Sequence, residues 1–295
     1  MRLGLALPQL GPFADPRLIP GFAAEAERAG FQSLWASERV HYATRPSSPY
    51  PGGDGTPPKR MGATVDPLLV LAVAATATSS AILGTSTMSA PLHAPVHLAR
   101  RLAGLEQLSG GRLIAGFGLS WSKDEYEAAG VPWHERGARL DEALDVLNAL
   151  WGPDPVRHEG RFWTLPEAEF QPKPGLIPIY LGGASPAALR RAGRRGDGWL
   201  GVPLPVEPLH RVLGTINEHA AAAGRGPVPT ALRINPMIQP TPTDDPATGP
   251  VEQLADYLRA VERLGVADVF LDLQFTTDTP EQLLALAGRI RSALG

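Results

Sequence analysis

Short apolar runs alternate along this chain with longer runs in which apolar positions recur every three or four residues. The short runs read as β-strands: Leu3–Leu7, Ser33–Ala36, Ile82–Met88, Leu113–Phe117, Ile177–Leu181, Gly198–Val202, Leu232–Ile238 and Val269–Leu273. The longer runs read as amphipathic helices near Pro16–Ala29, Pro67–Ala77, Pro95–Leu108, Glu135–Leu150, Pro186–Arg194, Glu207–Ala223, Pro250–Leu264 and Pro280–Leu294. Eight such pairs in strict alternation predict an α/β fold closed into a (β/α)8 TIM barrel. At 295 residues the chain suits one such barrel domain spanning 1–295.

Punctuation between the runs supports the count. Asp15-Pro16, Asp66-Pro67, Ser185-Pro186 and Thr279-Pro280 each place a capping side chain before a proline at the first helical position. Thr279 and Gln282 also fit a capping box. Gly30, Gly196 and Gly265 stand where helices should close on a left-handed residue. Two stretches break the rhythm. His41 to Met61 is rich in Pro, Gly and Ser, too long for an ordinary barrel loop, and fits a lid or simple decoration. Val156 to Leu165 reads as a small hairpin turning at Glu159-Gly160, inserted before the fifth strand.

Composition narrows the chemistry. The net charge is −3, which gives no general attraction to nucleic acid or anionic membranes. No run reaches the roughly 18 apolar residues of a membrane span, and the N-terminus MRLGLALPQLG reads as a strand, so a cytoplasmic protein is expected. The absence of cysteine removes thiolate catalysis, iron–sulfur clusters and cysteine zinc sites. His93 and His97 are four apart, but Pro95 intervenes and no third ligand is apparent, so no metal site is expected. No lysine stands at a strand end for a Schiff base, no G-x-S-x-G elbow is present, and no carboxylate pair suggests a glycosidase.

The active sites of such barrels form at the C-terminal ends of the strands. Three stretches there carry candidate chemistry. In IPIYLGGASPAALRRAG a strand runs into Gly182-Gly183, and Ser185-Pro186 then opens a helix. Glycine admits a ligand close to the backbone and the first helical amides are unpaired, which together make an anion seat; an ordinary capped turn is the competing reading. GFGLSWSKDEY begins like a dinucleotide fingerprint but has Trp121 where the third glycine belongs, which leaves Gly118 and Ser120 as candidate phosphate contacts or a plain tight turn. WASERVHY sets Glu38, Arg39 and His41 past one strand end, with Glu38 and His41 as candidate proton carriers and a surface ion pair as the alternative.

These residues resemble the luciferase-like family of flavin- and deazaflavin-dependent barrels over nearly the whole chain. The likeness rests on AEAERAGFQSLWASERV, LGTSTMSAPLHAPVHLARRLAGLEQLSGGRLIAGFGLSWSKDEYEAAGV, HERGARLDEALDVLNALW and PIYLGGASPAALRRAGRRGDGWL. It implies a cofactor across the barrel mouth, its ring on a bulge after the third strand with a non-proline cis peptide at Ser86-Thr87. It implies that Glu38 and Ser89 meet the ring, and that Leu119, Ser120 and Asp124 contact the ribityl chain and phosphate. Gly182, Gly183, Ala184 and Ser185 would cradle that phosphate, with Ala187 and Ala188 close by. The sugar-phosphate and alcohol dehydrogenase branch of the family has a histidine and a glutamate where this chain has Arg39 and Trp121, so that activity is not implied. Arg39 is instead a candidate for an anionic substrate group or for pairing with Glu38, and Trp121 for stacking on a substrate. Coenzyme F420 is the expected cofactor, for hydride transfer to or from a small organic substrate. The alternatives are FMN in a monooxygenase served by a separate reductase, and a non-catalytic flavin-binding barrel. A homodimer is implied by family analogy alone.

Overall fold

The computed structural model describes residues 1–295. Eight parallel strands close into a barrel: β1 (Arg2–Ala6), β2 (Ser33–Ala36), β3 (Ile82–Thr85), β4 (Leu113–Phe117), β7 (Ile179–Gly182), β8 (Gly198–Gly201), β9 (Thr230–Ile234) and β12 (Asp268–Leu271), which returns to β1. Around it lie α1 (Ile19–Arg28), α2 (Pro67–Ala77), α3 (Pro95–Ser109), α4 (Lys123–Ala128), α5 (Arg136–Trp151), α6 (Pro186–Arg195), α7 (Val206–Ala221), α8 (Val251–Arg263) and α9 (Pro280–Ser292). The inserted hairpin is antiparallel, β5 (Val156–Glu159) with β6 (Thr164–Ala168). No helix is long and apolar enough to cross a membrane.

The period-two rule of strands divides the core in two. Outward positions such as Leu34, Leu83, Ala115, Leu181, Leu232 and Val269 join the helices in one large apolar cluster. Inward positions fill the barrel with Trp35, Ile114, Tyr180, Leu200, Ala231 and Phe270. Trp35 stacks on Phe270 with ring centroids 4.5 Å apart. Glycine makes room for these rings: a Cβ at Gly84 would lie 2.3 Å from the Trp35 ring.

All four helix caps form as the sequence indicates: Asp15, Asp66, Ser185 and Thr279 accept backbone N–H groups of the turns that follow them. Several boundaries differ. The third strand stops at Thr85, not Met88, because the chain turns there into a bulge with a cis Ser86-Thr87 peptide. The strand read as Leu232–Ile238 ends at Ile234; Pro236 has no N–H to continue it, and Met237–Ile238 (β10) pairs instead with Thr248–Gly249 (β11). The helix read from Pro16 begins with a 3-10 turn and becomes α-helical only at Ile19. The stretch after β4, read as a turn, contains α4, capped by Ser122. Gly30 and Gly265 adopt the left-handed conformation, φ +86° at each, whereas Gly196 does not. Gly196 is needed for space, since a Cβ there would lie 2.9 Å from the carbonyl oxygens of Ala192 and Gly198.

Candidate active site

The C-terminal strand ends surround a cavity of about 570 Å³. Of the expected site residues, Glu38, Arg39, Ser86, Thr87, Ser89, Ser120 and Trp121 line it. The structure adds Tyr50, Pro51 and Gly52 from the long loop after β2, and Arg233, Asn235 and Asp245 from β9 and the segment beyond it. That loop is tied down over the cavity. Ser47 N–H donates to Asp124, Lys123 N–H donates to Ser48 Oγ at 2.9 Å, and Arg60 donates to the Gln274 carbonyl at 2.6 Å. Tyr50 meets the Trp121 ring edge-on at 5.3 Å.

Glu38 lines this cavity beside the bulge after β3, and its two oxygens have different partners. Oε2 accepts the Ser89 N–H at 2.7 Å, and Oε1 lies 2.7 Å from His93 Nε2. Arg39 does not pair with Glu38, which is one of the two readings its sequence position leaves open. It reaches Glu125 Oε1 at 3.4 Å and lies 5.0 Å from the centre of the Trp121 ring. Glu125, 2% exposed, is the organiser of this corner: it also accepts the Val40 N–H at 2.8 Å and the Ser120 hydroxyl at 2.6 Å. Burial, together with the neighbouring Glu125 and Glu38 charges, pushes the Tyr126 phenol well above its usual range. On the opposite wall Arg233 donates to the Ser86 carbonyl at 2.9 Å and pairs with the fully buried Asp272.

A second feature lies at the ends of β4 and β7. These strands are hydrogen-bonded neighbours with Phe117 opposite Leu181, so Leu119 falls beside Gly183 two residues further on. The N–H groups of Leu119, Ser120 and Trp121, and those of Gly183, Ala184, Ser185 and Ala187, donate to no acceptor within the protein. Unpaired backbone donors converging at a helix opening favour an anion. Gly183 holds φ +111°, and a Cβ on it would lie 3.0 Å from that of Ala188. Its carbonyl is fixed by Trp199 Nε1 at 2.9 Å, which keeps the N–H side of the turn outward. Ala188 spends its own N–H on Ser185 Oγ. Thr87 links this turn to the cavity: Cβ atoms at Gly118 and Gly182 would stand 2.5 and 3.1 Å from its side chain.

Two expected residues are placed elsewhere. His41 is exposed, lies outside the cavity lining, and approaches Glu125 with its backbone N–H, so its imidazole is not placed to carry a proton. Asp124 lies outside the cavity lining and accepts the Ser47 N–H at 3.1 Å, which ties it to the long loop. Sequence reasoning misses His93 and Arg233. The spacing of His93 from His97 suggests only a metal ligand. Arg233 is hidden inside a strand whose end the sequence pattern sets too late, yet a charged inward position between Leu232 and Ile234 is the available signal.

Comparison with known proteins agrees with this geometry. A sequence model of the luciferase-like monooxygenases matches residues 4–273, and the chain belongs to that family. An F420-dependent glucose-6-phosphate dehydrogenase of Beutenbergia cavernae is 30% identical over 257 residues, 84% of this chain and 67% of that protein. The corresponding Kineococcus radiotolerans enzyme is 33% identical over 220 residues, 71% of this chain and 60% of its own. Among solved structures, an F420-dependent secondary alcohol dehydrogenase with an F420-acetone adduct superposes with TM-score 0.79 at 18% identity, covering 100% of this chain and 99% of that one. The fold is thus a luciferase-like barrel, and a deazaflavin or flavin cofactor follows from the family.

Proposed function

We propose that this protein is a coenzyme F420-dependent oxidoreductase that moves a hydride between the deazaflavin and a small organic substrate such as a conjugated alkene, imine or carbonyl compound. The observation that carries the reading is the pair of strand ends with unspent amides, Leu119–Trp121 and Gly183–Ala187, opening beside a cavity bounded by a positioned carboxylate. The residues present fit a phosphate-bearing cofactor, because unpaired backbone donors converge where a helix opens and Gly183 leaves its backbone open to close approach. When bound, the deazaflavin supplies or accepts the hydride. Gly183, Ala184, Ser185 and Ala187 hold its phosphate, with Leu119 and Ser120 contributing from the neighbouring strand end. Ser86, Thr87 and Ser89 form the shelf for the ring. Trp121 and Tyr50 close the mouth against water and offer an aromatic surface to the substrate. The relatives at 30–33% identity support deazaflavin over FMN. Arg39 and Trp121 occupy positions that would carry the proton-transfer pair of the sugar-phosphate branch, so a different substrate is proposed. Fluorescence titration of purified protein with each cofactor tests the choice. Submicromolar binding of coenzyme F420 is expected, and binding of FMN alone would favour the monooxygenase alternative.

A further inference from the structure

We infer that His93 and Glu38 form a proton relay that connects the cavity to solvent, with His93 acting through Glu38. The inference rests on the oxidoreductase reading above for the reaction it serves, but its geometry stands by itself. Glu38 lines the cavity with 6% of its side chain exposed, and His93 behind it is 14% exposed. Their facing atoms are 2.7 Å apart, the distance of a charge-assisted hydrogen bond. The pair is held from both sides: the Ser89 N–H fixes the other Glu38 oxygen, and the His93 backbone N–H donates to the Ala90 carbonyl at 3.1 Å.

The free end of the imidazole supplies the exit. His93 Nδ1 has no hydrogen-bond partner in the protein, and no buried side-chain nitrogen or oxygen lacks one, so Nδ1 is open to solvent. One ring nitrogen therefore faces the carboxylate and the other faces water.

The remaining charged groups around the cavity are committed to fixed partners. On α4, Glu125 accepts Arg39, Val40 N–H and the Ser120 hydroxyl, and Tyr126 donates its hydroxyl to the Leu119 carbonyl at 2.7 Å. On the far wall Arg233 is paired with Asp272. Asp245 caps its own loop through the Ala247 N–H at 2.9 Å. His97, one turn further along the chain, is exposed. The Glu38–His93 pair is what remains beside the cavity with a ring nitrogen that has no partner in the protein.

In the reducing direction the substrate gains a hydride at one atom and a negative charge at another. The Glu38 O–H bond breaks as that charge is protonated. The Glu38 carboxylate then takes the proton from His93 Nε2, His93 takes one from solvent at Nδ1, and tautomerisation of the imidazole from Nδ1–H to Nε2–H restores the starting pair. Net, one hydride and one solvent proton are added to the substrate, and oxidation runs the same path backwards. The arrangement places an imidazole behind the carboxylate, in a chain that has Arg39 where the sugar-phosphate branch has a histidine directly after its acidic residue.

The test compares the unaltered protein with His93→Gln, which can still donate a hydrogen bond to Glu38 but cannot exchange a proton, and with Glu38→Gln. In cofactor-free protein, proton NMR should show a low-field imidazole N–H resonance that disappears in both variants; its absence from the unaltered protein would overturn the pairing. Cofactor affinity should change less than about threefold in His93→Gln. Hydride transfer from reduced coenzyme F420 to a panel of cyclohexenone, a cyclic imine and simple aldehydes should fall by about 10- to 100-fold, at or below the lower end of what a directly acting proton donor contributes, because His93 acts through Glu38. The pH dependence of that rate should flatten, and imidazole added to His93→Ala should restore part of it. A His93→Gln protein with unchanged rate and pH profile would contradict the relay. Failure of the unaltered protein to bind cofactor, or to reduce any acceptor in the panel, would sink the oxidoreductase reading and the relay with it, and the titration tells that outcome apart.

Discussion

The two ends of the barrel treat polar groups in opposite ways. At the N-terminal end the strong donors and acceptors are consumed internally. Arg112 donates to the Ser109, Ala75, Thr78 and Ala81 carbonyls and to the Thr78 hydroxyl. Asp268 accepts Arg2 and the Ser33 hydroxyl, each at 2.9 Å. Glu27 collects the N–H groups of Ser79, Ser80 and Ala81. At the C-terminal end the same backbone leaves seven amides in two adjacent turns without an acceptor and keeps a carboxylate and an imidazole in contact beside a cavity. Since unpaired backbone donors are costly to bury, they persist where solvent or a ligand receives them. One end spends its polar groups inside the protein and the other leaves backbone donors unspent, so on the proposed function substitutions at the two should separate stability from binding.

The largest effect expected is at the closed end. Arg112→Met should destabilise the protein by about 3 kcal/mol, because it strands several carbonyl groups at once. Denaturant unfolding would show this, and the cofactor dissociation constant measured on the folded fraction should not change. A smaller loss is expected from Glu27→Gln, about 1 kcal/mol at neutral pH. Its pH dependence carries a sign. Burial pushes the Glu27 carboxyl up, but the Ser79, Ser80 and Ala81 amides outweigh burial and hold it down at about 2. A carboxyl lowered by folding stabilises the protein above its ordinary value of 4.5, and that contribution fades as the pH falls toward 2. Thermal melts of the two proteins should therefore converge across that window. At the open end, Trp121→Ala should leave the unfolding free energy within about 0.5 kcal/mol. It should instead raise the KM for acceptors more than it lowers kcat, if the ring serves as substrate surface.

Much of this contrast is legible in the sequence, for reasons that differ by residue. The barrel follows from local signals repeated many times: Asp66 and Thr279 cap because their oxygens reach amides two or three residues on. The glycine turn at 182–183 is readable because its meaning depends on its own backbone. Glu38 can be nominated from its place at a strand end. Its partner cannot, because His93 is 55 residues away and meets it only through the fold of the bulge after β3. Arg39 shows the same limit: adjacency suggests Glu38, whereas the cation reaches Glu125 from α4, a helix that the sequence pattern conceals as a turn. His41 fails because nearness along the chain says nothing about which side of a loop faces inward.

Two glycines with the same kind of backbone test the central claim most directly. Gly183 at the open end has φ +111°, and Gly265 at the closed end has φ +86° with open space where a Cβ would stand. Valine strains the backbone at either position and at Gly183 also crowds the Ala188 Cβ, so both variants should lose stability, Gly183→Val the more, and affinity is to be read on the folded fraction of each. Coenzyme F420 titrated into each by fluorescence should bind Gly265→Val as it binds the unaltered protein, and Gly183→Val about 10- to 100-fold more weakly, the loss of one or two charge-assisted hydrogen bonds. Equal affinity for all three proteins would place the phosphate elsewhere and contradict the account.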